Sequence, residues 1–119
     1  MNNKRLGTEF EREVCDILAV SGWWVHFIAP DARGAQPFDI IAVKNGRAVA
    51  IDCKTCAADR ITLARLEDNQ IMAFEKWLSC GNEMPWVMVK HDGEVYCVSY
   101  DALKRQKSIR LDKEVLFTV

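Results

Sequence analysis

The stretch from Phe38 to Lys54 constrains this chain more than any other. It reads Phe38-Asp39-Ile40-Ile41-Ala42-Val43, then Lys44-Asn45-Gly46-Arg47, then Ala48-Val49-Ala50-Ile51-Asp52-Cys53-Lys54. Two β-rich runs flank an Asn-Gly pair, the strongest short-range hairpin signal. Strands are therefore expected over 38–44 and 47–54. A hairpin folds its far ends together, so Asp39 should approach Asp52 and Lys54. Side chains alternate faces along a strand, which puts Asp52 and Lys54 on one face and Ile51 and Cys53 on the other. Two neighbouring carboxylates repel and raise each other's pKa, and a divalent cation between them removes the repulsion. Hard oxygen donors with room for water suit Mg²⁺ or Mn²⁺. A lysine beside them can orient a water or neutralise charge building on a phosphorus centre. The plainer alternative is a solvated strand face with a weak ion pair. The apolar neighbours and the expected proximity of Asp39 argue against it.

The remaining chain supplies the frame. At 119 residues it is read as one domain, 1–119, able to bury a single core. Half the residues are hydrophobic and 28% are charged, as in ordinary globular proteins rather than disordered or membrane chains. No apolar run approaches the roughly 20 residues of a membrane span, and the N-terminus lacks the apolar core of a signal peptide. Cys15, Cys53, Cys56, Cys80 and Cys97 are odd in number and lie mostly in apolar runs, which suits a reducing compartment. A cytoplasmic location is expected, the host cytoplasm for a viral source. Cys53-x-x-Cys56 has no second paired spacing to complete a zinc site, so buried thiols are preferred. The net charge of −1 requires any nucleic-acid binder of this composition to gather its positive charge on one face.

Taken in order, the first helix is expected to open at Gly7-Thr8, with Thr8 as cap and Glu11 completing a capping box. Phe10, Val14, Ile17 and Leu18 recur at helical spacing, and Gly22 is the stop. Arg12 and Asp16 face away from the apolar stripe. Glu11 and Glu13 flank it, and the helical wheel does not choose between them. Trp23–Ala29 reads as a strand, in which alternation lets only one of Trp23 and Trp24 face inward; an exposed one could support dimerisation. A second helix is expected over Ala64–Cys80, capped at Thr62, with Leu66, Ala73, Phe74, Trp77, Leu78 and Gln70 on its inner stripe. Pro85–Lys90 and Glu94–Ser99 form strands about an Asp92-Gly93 turn. Tyr100–Lys107 reads as a short basic helix and Val115–Val119 as an edge strand. The element order is α-β-β-β-α-β-β-α, an α/β fold.

These residues resemble a known family. Asp39 followed by Asp52-Cys53-Lys54 across a hairpin looks like the PD-(D/E)XK nuclease signature. The chain is most similar to the archaeal-type Holliday junction resolvases and their phage relatives. Those open with a glycine before a Glu-Arg-Glu helix, and Gly7-Thr8-Glu9-Phe10-Glu11-Arg12-Glu13 stands in that place. The likeness continues through Gly22, the polar loop Asp31-Ala32-Arg33-Gly34, Phe38–Val43 and Ile51–Thr55 to Gln70. It implies a restriction-endonuclease-like core with a central mixed β-sheet flanked by helices. It selects Glu11 over Glu13, and implies that Glu11, Asp39 and Asp52 hold Mg²⁺ or Mn²⁺ while Lys54 assists catalysis and Gln70 borders the site. Asp52 stands where these resolvases usually carry Glu, and Asp31 and Arg33 occupy a loop where Ser or Thr is usual.

The resemblance implies an Mg²⁺-dependent endodeoxyribonuclease, a four-way-junction resolvase of recombination and repair, working as a homodimer on branched DNA. The alternatives are a repair or restriction-type nuclease of the same fold without junction preference, and an inactive DNA-binding or assembly module. Lys4, Arg5, Arg12, Arg33, Arg60 and Arg65 are the expected phosphate contacts. Lys104, Arg105, Lys107 and Arg110 form a second basic run with no assigned role.

Overall fold

A computed structural model describes residues 3–29 and 36–118, with side chains from Thr8 onward. Helix α1 (Asn3–Val20) leads into strands β1 (Trp24–Phe27), β2 (Ile40–Lys44), β3 (Arg47–Thr55) and the short β4 (Arg60–Thr62). A 3₁₀ turn at Leu63–Arg65 precedes α2 (Asp68–Ser79); β5 (Trp86–His91), β6 (Glu94–Ser99), α3 (Tyr100–Gln106) and β7 (Ser108–Arg110) complete the chain.

The five-stranded sheet has the order β1-β2-β3-β5-β6. Only β3 and β5 run parallel; the other neighbours are antiparallel, so the sheet is mixed as expected. Both tight hairpins turn on residues with positive φ: Asn45 at 53° and Gly46 at 77°, then Asp92 at 49° and Gly93 at 79°. Positive φ at both central positions is the type I′ geometry, whose twist matches that of the flanking strands.

Helix α1 covers one face of the sheet, with Phe10, Val14 and Leu18 packed on Ile40, Ala42, Val49, Ile51 and Met88. The opposite face carries a second core in which Phe74 of α2 and Leu103 of α3 meet Ala50, Val87 and Val89. The end of α1 follows the Schellman pattern: Trp23 N–H donates to Leu18 O at 3.0 Å and Gly22 N–H to Ala19 O at 3.1 Å. Gly22, at φ +94°, takes the left-handed position that such an ending needs.

Some boundaries depart from expectation. Helix α1 begins at Asn3, so Thr8 and Glu11 are interior and form no capping box; Lys4, Arg5 and Leu6 are good helix formers that carry the helix through Gly7. Helix α2 begins at Asp68, not Ala64. Leu66 is 5% exposed, but it is buried from extended backbone rather than from a helical stripe. Thr62 caps only the 3₁₀ turn, without a side-chain bond. The ribbon formed by β4 and β7 was not expected, because strands of three residues are too short to show periodicity. The expected edge strand near the C-terminus is a single bridge, Tyr96 to Leu116, flanked by Cys97 N–H to Val115 O and Phe117 N–H to Val95 O.

Candidate active site

The register of the β2–β3 hairpin sets the site. Ile40 stands opposite Ile51, and Asp39 N–H donates to Ile51 O at 3.0 Å, which continues the pairing to place Asp39 across from Asp52. Both are buried, Asp39 at 5% exposure and Asp52 at 0%. The Asp39 carboxylate accepts from Cys53 N–H and from Gln36 Nε2, each at 2.8 Å. A donor from its own hairpin partner strand thus fixes its orientation.

Asp52 is held from the α2 side. Gln70 Nε2 donates to Asp52 Oδ1 at 2.9 Å. Gln70 Oε1 accepts from Lys54 Nζ at 3.1 Å and from Glu67 N–H at 3.0 Å. The last contact is half of a reciprocal capping box between Glu67 and Gln70 at the start of α2. One side chain therefore caps a helix and clamps both the aspartate and the lysine. Lys54 Nζ stands 3.2 Å from Asp52 Oδ2, an ion pair that leaves this fully buried oxygen without a well-aligned hydrogen bond.

The helical wheel left Glu11 and Glu13 equivalent, and the structure separates them. Glu11 lies beside Asp39, close enough for the two carboxyl groups to act on each other. Glu13 turns to the β5 side, where Lys90 Nζ reaches both its carboxylate oxygens at 2.8 Å. Burial first, and then the neighbouring Asp39, push the Glu11 carboxyl up to about 7. Asp52 is raised well above the ordinary carboxylate range, by burial and then by Asp39, with Lys54 pulling the other way. Cys53 lies on the α1 face beneath the acids, and burial raises its thiol, so it acts as a packed hydrophobe and not a thiolate.

The donor set fits a hard divalent cation in two respects: its donors are carboxylate oxygens, and their mutual repulsion calls for a positive charge beyond that of Lys54. Asp39 neighbours both other acids, Glu11 from α1 and Asp52 across the hairpin. Among the described residues, no three His, Cys, Asp or Glu side chains make a ready-formed cage.

Glu11, Asp39, Asp52, Lys54 and Gln70 are brought together at one end of the sheet. Of the expected phosphate contacts, Arg12 is exposed on α1. Arg65 lies beside the site and donates to Thr55 O at 2.8 Å. Arg60 lies on β4. Arg33 and the side chains of Lys4 and Arg5 lie outside the described residues. Sequence reasoning missed Gln36, which holds Asp39 and is itself held by Asn69 Nδ2 through its carbonyl at 3.1 Å. A lone glutamine in a loop carries no periodic signal. The Glu67–Gln70 box also escaped the sequence, because a glutamate is not among the residues that usually open one.

A family model described as archaeal Holliday junction resolvase (hjc) matches residues 2–118. No curated protein matches the sequence. Among solved structures, Archaeoglobus fulgidus Hjc, a Holliday junction resolvase from an archaeal hyperthermophile, is similar with a TM-score of 0.67 and 20% identity. That alignment covers 91% of this chain and 88% of the other. At such identity the structural likeness is one of fold.

Proposed function

This chain belongs to the archaeal Holliday junction resolvase family, and from that premise we propose that it cuts four-way DNA junctions with Mg²⁺ or Mn²⁺ at the end of the β2–β3 hairpin. Water displaces one oxygen of the scissile phosphodiester, leaving a 5′-phosphate and a 3′-hydroxyl. Glu11, Asp39 and Asp52 would hold the cation. When bound, it supplies positive charge against the phosphate and eases ionisation of the attacking water. Lys54 carries a fixed ammonium beside Asp52, where it can orient that water or meet charge developing on the phosphate oxygens. Gln70 positions Lys54 and Asp52 in a single contact. The observation that carries this reading is the fully buried Asp52 paired with Lys54 and Gln70, with Asp39 opposite it and Glu11 beside Asp39.

A four-way junction has near two-fold symmetry, so paired cuts call for a symmetric dimer. Arg12, Arg60 and Arg65, with Arg5 and Arg33, would supply contacts to the DNA backbone. Residues 1–119 act as one nuclease domain in this reading, placed in a cytoplasm.

One assay tests the proposal: purified protein with labelled junction, flap, nicked duplex and linear duplex, with and without Mg²⁺. Symmetric nicks confined to the junction support it. Cutting of every form would make this a nuclease without junction preference, and binding without cutting an inactive module. Asp52→Asn and Lys54→Ala are each expected to bind junction DNA and lose cleavage by roughly 10²-fold or more. Wild-type cutting by either variant overturns the assignment of the site.

A further inference from the structure

We propose that the outer face of the β4–β7 ribbon is a second phosphodiester-binding surface, on which Arg60 and Arg110 grip the DNA backbone away from the acids. The inference rests on the DNA-cleaving function proposed above and assigns a role to a part of the basic C-terminal run that had none.

The register makes the case. Arg60 pairs directly with Arg110, Ile61 with Ile109 and Thr62 with Ser108. Ile61 and Ile109 are 0% and 8% exposed and belong to the core, so alternation turns Arg60, Thr62, Ser108 and Arg110 outward together. Two like charges directly opposite across a strand pair are destabilising. Among the described residues neither arginine forms an ion pair, although Asp112 and Glu114 line the same depression. The neighbouring basic residues of the same run differ, since Lys104 pairs with Glu75 and Arg105 with Asp101, each at 2.9 Å.

Arg60 is also pre-aimed. Its Nε donates to Ser108 Oγ at 2.7 Å and its terminal nitrogen to Ser108 O at 3.3 Å. These bonds fix the guanidinium plane without neutralising its charge, which reduces the entropy cost of binding an anion. Two guanidinium forks and two hydroxyls on one face match the oxygens of a phosphodiester backbone. Asp112 and Glu114 line the depression next to the two arginines. Two outward guanidinium groups paired across the ribbon suit successive phosphates of an extended backbone better than one small anion.

The ribbon is linked to the acidic site through the chain. Cys56 lies two residues beyond Lys54; its N–H donates to Lys90 O at 2.8 Å and its Sγ to Arg60 O at 3.1 Å. DNA gripped at the ribbon is thereby tied to the strand that carries Asp52 and Lys54.

The test is the salt dependence of junction binding, measured by fluorescence anisotropy without divalent ions. Each phosphate contact contributes about 0.9 to the slope of log affinity against log salt, and on the order of tenfold in affinity near 0.1 M salt. Arg60→Gln/Arg110→Gln should lose nearly two units of slope, and Arg60→Lys/Arg110→Lys should regain them because charge returns. Lys104→Gln, whose charge Glu75 already offsets, should leave the slope unchanged. Should the double glutamine variant fail to fold, Arg110→Gln alone carries the test, with a loss of about one unit. A folded variant with wild-type slope overturns the proposal, as does wild-type protein that binds no DNA. Wild-type protein that binds with the expected slope but never cuts refutes the nuclease function and leaves the ribbon standing.

Discussion

Asp52 is fully buried, and Glu11 and Asp52 each lie close enough to Asp39 for the carboxyl groups to repel. Acids so placed are stable together only while protons or a cation offset their charge. The ordinary Glu11 value is 4.5 and the folded value about 7, so the folded state binds its proton more tightly than the unfolded chain does. Stability from this group is full below 4.5 and is lost as pH rises towards and through 7. In chelator, the melting temperature of the wild type should therefore fall relative to that of Glu11→Gln across this window. Added Mg²⁺ should reverse the loss most strongly at the alkaline end. Parallel melting curves for the two proteins from pH 4.5 to 7.5 would remove Glu11 from the acid cluster. At this scale the sequence was informative where a hairpin fixed proximity: Asp39, Asp52 and Lys54 could be read from one turn. Glu11 and Glu13 could not be separated by periodicity, because the choice depends on which neighbour each meets, Asp39 or Lys90.

Among the elements, the β2–β3 hairpin does most to assemble the site, and its turn depends on backbone conformation more than on contacts. Gly46 sits at φ +77° with open space where a Cβ would stand. Gly46→Ala therefore meets no clash but must hold an alanine in the left-handed region, at a cost of about 1 kcal/mol. Urea unfolding should show that loss, and cleavage should fall less than in the acid variants; an unchanged midpoint would mean the turn relaxes freely. The two hairpins and the apolar stripe of α1 were legible because type I′ turns and amphipathic periods are local signals. The start of α2 was not, since Leu66 is buried from extended backbone in the turn before the helix. The β4–β7 ribbon also escaped notice, since its two strands are far apart in the chain and each carries a single buried residue.

Across the whole molecule, the two borders of the sheet are finished differently. Residues 115–117 lie along β6, whereas β1 forms the opposite border with Trp24 61% exposed and stacked on His26 at 6.1 Å. Phe27, on the same strand, is 36% exposed. Among the described residues no strand pairs with the outer border of β1, and a border with exposed aromatic side chains is the natural place for a second copy to pair. For the dimer proposed above, Trp24→Arg is expected to shift the mass seen by light scattering to that of a monomer; a variant that still dimerises at micromolar concentration would place the interface elsewhere. The mixed sheet and its flanking helices followed from element order and family resemblance, while the identity of the open border required the folded molecule. Gln70 has one further consequence at this scale. The acids meet through a short hairpin, but the clamp on Asp52 and Lys54 arrives on the first turn of a helix whose cap is that same glutamine. Fraying of that turn would release the lysine and one carboxylate while the sheet stays intact, so heat or denaturant can silence the protein well before it melts.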